Sequence, residues 1–383
     1  MKILAIRVSG YKKLKDNFEI NFLNKAKVMD IHKDSGEVLE LGNKLYFPTV
    51  TAITGKNSSG KSTVLSLIEM CHDLLFEGRI VYDKLMFNKN TIDLVIYFKM
   101  EEYIYKYEGS FKGANNLIGE INRTSFCIFI KEELSKVKYS SRLGKNIEKY
   151  NYKEVEISPS IDDTSILYNI TARKFFAYSI SNSKEDNLEQ YFLLIEKLPD
   201  YLKKGFVNIF DDNIEKLVEL RKNDLYLIKF YNEKELELNR HQLLSVLSDG
   251  TLKGINLLAI TSSILKLGST LIIDEIENSF HKNLVELILM LFKDKKLNKK
   301  NSNIIFSTHY VEILDILRRN DSIWLMDKKE GVIDSKNLYL DFDVRQDISK
   351  SSLFNHNYFE NLIPLDRLNT LKKGLKNEVP NNV

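Results

Sequence analysis

The chain has 383 residues, a length that suits two or three packed lobes or one large domain with an insertion. Its 43% hydrophobic and 28% charged residues exclude wholesale disorder, and a formal net charge of +3 excludes a strongly basic nucleic-acid coat. Two cysteines cannot form a disulfide framework or a four-thiolate zinc site. No apolar run reaches the roughly 18 residues of a membrane span, and no secretion signal opens the chain. We therefore expect a cytoplasmic protein without a membrane partner.

The first part of the chain predicts strands followed by a helix. Apolar patterning predicts strands over 3–8, 18–22 and 49–54, and the last of these runs into a glycine-rich turn. Apolar residues at helical spacing predict a helix over 62–75. Strand-like runs follow at 92–98, 103–107 and 126–130.

The rest of the chain changes character twice. From about 164 to 221 the spacing is helical, as in Ile214, Leu217, Val218 and Leu220, and a strand follows at 225–231. The last third then alternates between predicted helices, at about 250–266, 281–293 and 310–319, and predicted strands, at 269–274, 303–307 and 322–327. This alternation is typical of parallel βαβ units and predicts an α/β fold. We expect one core built from residues 1–99 and 241–340, an inserted mixed lobe over 100–240, and a tail over 341–383.

The most specific motif is a glycine-rich loop between a strand and a helix. GKNSSGKS fits G-x-x-x-x-G-K-[ST] and follows the apolar segment TVTAIT, a context that disfavours a chance Gly/Ser turn. Gly55 and Gly60 permit backbone angles closed to other residues, so loop N–H groups and the helix N-terminus can point at a β-phosphate. Lys61 can reach the β- and γ-phosphates, and the Ser62 hydroxyl can ligate Mg²⁺. The expected nucleotide-binding residues are Gly55, Lys56, Asn57, Ser58, Ser59, Gly60, Lys61, Ser62 and Thr63.

An acidic pair and a histidine follow two later apolar strands. In TLIIDEIE, Asp274 and Glu275 stand at the carboxyl end of a strand, where open α/β sheets bind ligands. Asp274 suits the shell around Mg²⁺, and Glu275 suits the activation of an attacking water. In NIIFSTH, His309 can donate to the γ-phosphate and hold that water. A charged turn and an ordinary histidine are the alternatives, and co-occurrence with the phosphate loop favours catalysis by Lys61, Glu275 and His309. The interpretation of His281 stays open.

The pentapeptide LSDGT precedes a further apolar helix. Ser248 is a good N-cap, and Gly250 lets the backbone approach a ligand closely. On this pentapeptide alone, a simple capping turn is the preferred interpretation.

Together these segments resemble the ATP-binding-cassette ATPases of the SMC/RecF/OLD type. GKNSSGKS, LSDGT, LIIDEIENSFH and STH occur in the order of that family, and the resemblance extends to the first strand and the turn at Tyr11, Lys12 and Lys13. The phrases SDGT, DEIENSFH and VRQDISKSSLF are similar to those of stand-alone bacterial AAA-type ATPases of the OLD-like group, many of which serve in phage defence or abortive infection. Residues 100–240 match only loosely.

The resemblance implies a P-loop ABC-type ATPase head that uses ATP and Mg²⁺. It implies a homodimer or higher homo-oligomer with ATP sandwiched between heads, in which Ser248 and Gly250 contact the γ-phosphate held by the opposite subunit. The segment Glu277-Asn278-Ser279 would lie at the dimer interface. Two features depart from the family: the signature reads LSDGT rather than LSGGQ, and the Q-loop glutamine cannot be placed.

Little in the remaining sequence indicates a second activity. Only 74 residues follow His309 (383 − 309), too few for the metal-dependent nuclease domain of OLD proteins. We interpret Asp341-Phe342-Asp343 as a solvated strand end rather than a metal pair. The lysine-rich run over 293–300 is interpreted as a solvated loop, with only a weak indication of DNA binding because no aromatic residues interleave.

The preferred function is an ATP-hydrolysing ATPase whose paired heads relay the nucleotide state to DNA or to a separate nuclease or toxin effector, in phage defence or DNA maintenance. One alternative is the ATPase subunit of a membrane transporter, which the DEIENSFH phrase and the missing Q-loop disfavour. Another is an ATP-gated scaffold with little turnover, which Glu275 disfavours.

Overall fold

A computed structural model describes residues 1–42, 44–114, 126–140, 144–157, 163–171, 177–180, 208–220, 225–279, 282–346 and 348–355. The N-terminal part contains β1 (Lys2–Ser9), β2 (Phe18–Asn21), α1 (Asp30–Asp34), β3 (Val38–Gly42), β4 (Leu45–Pro48), β5 (Val50–Thr54), α2 (Lys61–Glu77), β6 (Thr91–Met100), β7 (Tyr103–Lys112), β8 (Ile128–Lys138) and β9 (Lys153–Glu154). The middle contains α3 (Tyr168–Thr171), β10 (Ala177–Ile180), β11 (Ile214–Leu220), β12 (Leu225–Phe230) and β13 (Leu236–Asn239). The C-terminal part contains α4 (Arg240–Val246), α5 (Asp249–Leu267), β14 (Thr270–Ile273), α6 (Ile276–Ser279), α7 (Lys282–Lys293), β15 (Asn303–Thr308), β16 (Ile323–Lys329), β17 (Val332–Asn337) and α8 (Lys350–Asn355).

Two six-stranded sheets form the core. The first is antiparallel, in the order β2-β1-β6-β7-β8-β9, and the second has the order β10-β14-β15-β5-β16-β17. Among the described strands of the second sheet, β17 alone runs antiparallel to its neighbour. Its inner strands β14, β15 and β5 are buried along their whole length, as expected for parallel strands covered on both faces. The α/β prediction is therefore confirmed.

Helix α2 lies between the two sheets. Its buried side chains, from Val64 to Leu75, belong to one apolar cluster with residues of β1 and β6 on one side and with Ile272, Ile305 and Trp324 of the parallel sheet on the other. A helix that is apolar on most sides is suited to such a position. The opposite face of the parallel sheet is covered by α5 and α7. This layering fixes the loop before α2 at the edge of the parallel sheet.

The expected boundary at residues 99 and 100 falls inside a hairpin. Strands β6 and β7 pair from Thr91↔Lys112 to Met100↔Tyr103, and β8 and β9 continue the same sheet. Within the described part of residues 100–240, only β11, β12 and β13 form a separate small sheet. That sheet packs on α4 and α5 through a cluster that includes Leu243 and Ile255.

The helix predicted through Ile214–Leu220 is wrong, because this segment is β11. A register shift between Ile214 and Lys216 places Ile214 and Leu217 on one buried face, so a bulged strand imitates the three-residue spacing of a helix. The helix predicted over 310–319 is only a 3₁₀ turn at Val311–Ile316. Outside the described residues lie His281, the tail after residue 355 and most of the predicted helical stretch between 172 and 207.

No single described helix is long and apolar enough to cross a membrane; α4 and α5 pass that test only as a pair, by length and composition, across a bend of 115°.

Candidate functional site

The phosphate loop connects β5, in the interior of the parallel sheet, to α2. Its two glycines are required because their backbone angles disfavour other residues and because neighbouring atoms leave no room for a side chain. Gly55 and Gly60 have φ values of 147° and 105°, which side chains rarely adopt. A Cβ at Gly55 would lie 2.5 Å from the carbonyl oxygen of Met326, and one at Gly60 would lie 2.6 Å from Ile333 Cδ1. The hairpin of β16 and β17 therefore packs directly against both ends of the loop.

Lys61 is buried at the first position of α2, with 4% of its surface exposed. Its Nζ donates to the carbonyl oxygens of Gly55 and Lys56, each at 3.2 Å, and to His309 Nδ1, also at 3.2 Å. Burial lowers the pKa of the Lys61 ammonium, and the charge of Glu275 is the largest of the opposing influences. The ammonium thus faces the loop, the histidine and a group of carboxylates at once.

The acidic pair is held in place by Ser307. Because β14 and β15 are parallel and Ile273 pairs with Phe306, the residues that follow them in the sequence, Asp274 and Ser307, lie side by side. The Ser307 hydroxyl donates to Asp274 Oδ1 at 2.5 Å and accepts from the Glu275 backbone N–H at 2.7 Å. Glu275 has a positive φ of 47°, uncommon for a residue with a side chain. Ser307 was not among the site residues predicted from the sequence, although its place in STH before His309 is a signal for it.

His309 is held from two directions. Its backbone N–H donates to Glu277 Oε1, and its Nδ1 accepts from Lys61. The proton of a neutral ring then sits on Nε2, 3.6 Å from Glu275 Oε1. The second carboxylate oxygen of Glu277 is buried and has no hydrogen-bond partner among the described residues. Glu277 is a second positioning residue that the sequence analysis did not assign to this cleft.

These side chains open into a cleft of about 920 Å³, a volume in the range of ligand-binding pockets. The expected residues that line it are Asn57, Ser58, Gly60, Lys61, Ser62, Thr63, Glu275 and His309. Residues that no motif assigned line the rest: Lys12, Lys13, Asp83, Leu85, Phe87, Asn88, Lys328 and Ile333. Only Lys12 and Lys13 had a sequence signal, in the turn that shares the family resemblance.

The LSDGT segment lies elsewhere on the surface. Ser248 caps α5, with its Oγ accepting from the Thr251 backbone N–H at 3.1 Å, and neither Ser248 nor Gly250 lines the cleft of its own chain. Gly250 has no positive φ, and a Cβ there would meet only Ser248 Oγ, at 3.8 Å. Neither conformation nor packing within the described chain requires a glycine at this position.

The Ser62 hydroxyl in the cleft and the Asp274 carboxylate beside the cleft suit a magnesium ion. Ser62 lines the cleft, and Asp274 lies beside Glu275 at the same sheet edge. The described residues contain no group of three or more His, Cys, Asp or Glu side chains arranged for a metal, so protein ligands alone would not complete an ion's coordination. Mg²⁺ typically uses one or two protein oxygens together with phosphate oxygens and water, and the residues fit that pattern.

The chain was compared with known proteins and known structures. No curated protein is detectably similar to it. Among solved structures, the SMC head domain from Thermotoga maritima is similar at 14% sequence identity and a TM-score of 0.42, over 89% of this chain and 100% of that one. Residues 50–315 match the family described as "AAA domain, putative AbiEii toxin, Type IV TA system". This match covers more than half of the chain, including the phosphate loop, the acidic pair and His309, so the protein belongs to that family of P-loop AAA-type ATPases.

Proposed function

We propose that this protein binds ATP with Mg²⁺ and hydrolyses the bond to the γ-phosphate. The observation that carries the proposal is the meeting of Lys61, Glu275 and His309 in one cleft, although Lys61 and His309 are 248 residues apart in the chain. Such a meeting of a phosphate ligand, a carboxylate base and a histidine supports phosphoryl transfer to water.

Binding would use the loop and the start of α2. The loop N–H groups and the N-terminus of this 17-residue helix favour negative charge. Lys61 would exchange its bonds to the Gly55 and Lys56 carbonyl oxygens for phosphate oxygens. Its lowered pKa reflects burial, so pairing with phosphate would stabilise the charged form.

Ser62 and Asp274 would hold Mg²⁺, with Ser307 keeping the Asp274 carboxylate in orientation. The ion supplies positive charge that neutralises the β- and γ-phosphate oxygens.

Hydrolysis would use Glu275 and His309, whose Oε1 and Nε2 atoms lie 3.6 Å apart, next to one attacking water. Glu275 would accept the proton of the water, and its backbone is fixed for this by Ser307. His309, with its proton on Nε2, would donate to the γ-phosphate and help to hold the water. The bond from its backbone N–H to Glu277 keeps the ring at this position.

We further propose that two copies pair around ATP. Ser248 and Gly250 lie on the surface at the N-terminus of α5, away from the cleft of their own chain. No packing contact among the described residues requires a glycine at position 250. Across a two-fold axis they would reach the γ-phosphate of the partner, and each chain would contribute to both sites. The 277–279 segment would lie at this interface.

The paired heads would relay their nucleotide state to DNA or to a separate nuclease or toxin effector. The family description names a toxin of a toxin–antitoxin system, which supports a role in bacterial phage defence; DNA maintenance is the related possibility. Such a role would place the protein in the cytoplasm.

Replacement of Lys61 by Ala tests the central claim. We expect Lys61→Ala to lose ATP binding and phosphate release, measured by calorimetry and by a phosphate assay. Lys266→Ala, at an exposed lysine of α5, serves as the control and should behave like wild type. A folded Lys61→Ala protein with wild-type ATP turnover would defeat the assignment, and a wild type that binds ATP without turnover would favour the scaffold alternative.

A further inference from the structure

The order of the strands indicates which end of the cleft would hold the γ-phosphate and which end would hold the nucleoside. Glu275 follows β14 and His309 follows β15, both on one side of β5, whereas β16 lies on the other side of β5. Carboxyl ends of parallel strands share one edge, so the cleft runs along that edge from β14 to β16. A triphosphate whose γ-phosphate meets Glu275 and His309 therefore extends its α-phosphate and nucleoside toward β16.

The end of β16 runs beside the phosphate loop. Leu325 pairs with Thr54 in parallel register, and the next residue, Met326, places its carbonyl oxygen where a side chain at Gly55 would lie. At the other end of the hairpin, Ile333 fills the space beside Gly60. The loop is thus held between these two contacts.

Lys328 lies on the cleft side of this hairpin. It pairs directly with Ile333 in the antiparallel ladder, so the two side chains share a face. Ile333 points at Gly60, and both Ile333 and Lys328 line the cleft. The next residue, Lys329, pairs with Val332 on the opposite face and does not line the cleft.

The charge of Lys328 has no carboxylate partner among the described residues. Lys329, in contrast, forms an ion pair with Asp327 at 3.4 Å. Lys12 and Lys13 line the same end of the cleft, and their turn is fastened to the hairpin because the Ile333 N–H donates to the Lys13 carbonyl oxygen at 2.8 Å. This end of the cleft therefore presents lysine ammonium groups from two fastened segments.

We propose that Lys328 binds the α-phosphate of the nucleotide, in a cationic wall completed by Lys12 and Lys13. The proposal rests on the proposed ATP binding and adds the orientation of the nucleotide and a ligand from β16. The contact is with a phosphate common to ATP and ADP. Lys328 is therefore a binding residue that acts on both nucleotides, unlike residues at the γ-phosphate.

The test compares the affinities of ATP and ADP, each with Mg²⁺, for wild type, Lys328→Gln and Lys329→Gln by calorimetry. We expect Lys328→Gln to weaken both nucleotides by a similar factor of about ten, the loss typical of one charge-assisted hydrogen bond. KM for ATP should rise by the same factor, with kcat within twofold of wild type, because the contact is the same in the ground and transition states. Lys329→Gln should leave both affinities unchanged.

Three results would overturn the inference. Unchanged affinities in Lys328→Gln would exclude a phosphate contact. A loss confined to ATP would place Lys328 at the γ-phosphate and reverse the orientation of the nucleotide. If wild type bound neither nucleotide, the proposed ATP binding itself would be wrong. That outcome differs from the first two, in which wild type binds nucleotide and only the role of Lys328 is wrong.

Discussion

Glu275 is positioned through its main chain. The backbone N–H is bound by Ser307, and the positive φ turns the residue out of the strand direction. A glutamine keeps this geometry and removes only the negative charge. We therefore expect Glu275→Gln to retain ATP binding and to lose at least about 10²-fold in hydrolysis, the loss expected for a general base.

A phosphate-release assay measures the loss of hydrolysis, and equilibrium ATP binding measures the retained affinity. Glu286→Gln is a suitable control, because Glu286 lies on α7 within 3.8 Å of Lys282 and does not line the cleft. A Glu275→Gln enzyme that retains a third or more of wild-type turnover would assign the base to another residue.

At the scale of elements, the contact between the phosphate loop and the β16–β17 hairpin leaves no room for a side chain at either glycine of the loop. Gly60→Ala would bring a Cβ within 2.6 Å of Ile333 at a backbone angle that disfavours alanine. We expect a loss of about 1 kcal/mol or more in stability from strain alone, together with a displaced loop and a loss of nucleotide affinity.

Gly331→Ala is the control that introduces backbone strain without displacing the phosphate loop. Gly331 also has a positive φ, of 86°, but no heavy atom of the described residues lies within 4 Å of its Cβ position. Denaturant unfolding should show both variants destabilised, whereas calorimetry should show weakened ATP binding only for Gly60→Ala. Equal ATP affinities in the two variants would contradict the proposed role of the loop–hairpin contact.

At the scale of the whole molecule, Lys2 connects the two sheets. Its buried Nζ, on β1, donates to the Ser269 carbonyl oxygen at 3.2 Å and to Asn303 Oδ1. Burial lowers the pKa of Lys2 to about 7 from 10.5. Since the unfolded chain then binds more protons than the folded chain between those two values, the stability contributed by Lys2 rises with pH from about 7 to 10.5.

Lys2→Met should remove this pH dependence. Thr270 Oγ1 still donates to Asn303 Oδ1 at 2.9 Å, so the variant leaves that acceptor satisfied. Between about pH 7.5 and 9, we expect the free energy of unfolding of wild type to increase relative to the variant by about 1 kcal/mol per pH unit. Urea unfolding at several pH values measures the difference, and parallel curves for the two proteins would contradict a neutral buried Lys2.

The proposed pairing of two molecules around ATP is also tested at the scale of the whole molecule. With Glu275→Gln to block hydrolysis, we expect ATP to cause dimerisation that light scattering detects. Adding Ser248→Arg should prevent it, because the large side chain would collide with the partner's γ-phosphate.

Ser248→Ala is the matched control for that experiment. Both substitutions remove the cap on the Thr251 N–H, at a cost of about 1 kcal/mol, but only Arg adds bulk. If Ser248→Arg protein hydrolyses ATP at the wild-type rate as a monomer, Ser248 is only a helix cap.

The sequence by itself determined which side chains stand at the centre of the cleft. The phosphate loop, Asp274-Glu275 and His309 are each contained in a short segment whose strand and turn are encoded locally, and all of them meet at one sheet edge. Local patterning was misleading at Ile214–Leu220, where the bulge in β11 produced helical spacing, because periodicity alone cannot distinguish a bulged strand from a helix turn.

Only the tertiary structure decided what surrounds that centre. The choice of β16 as the neighbour of β5 placed Lys328 and Ile333 beside the phosphate loop, and it brought the Lys12–Lys13 turn to the same wall. Ser307 and Glu277 likewise gained their positioning roles only when β14 and β15 paired. The physical reason is that strand order and long-range contacts depend on the summed burial of the two sheets around α2, which no short segment of the sequence encodes.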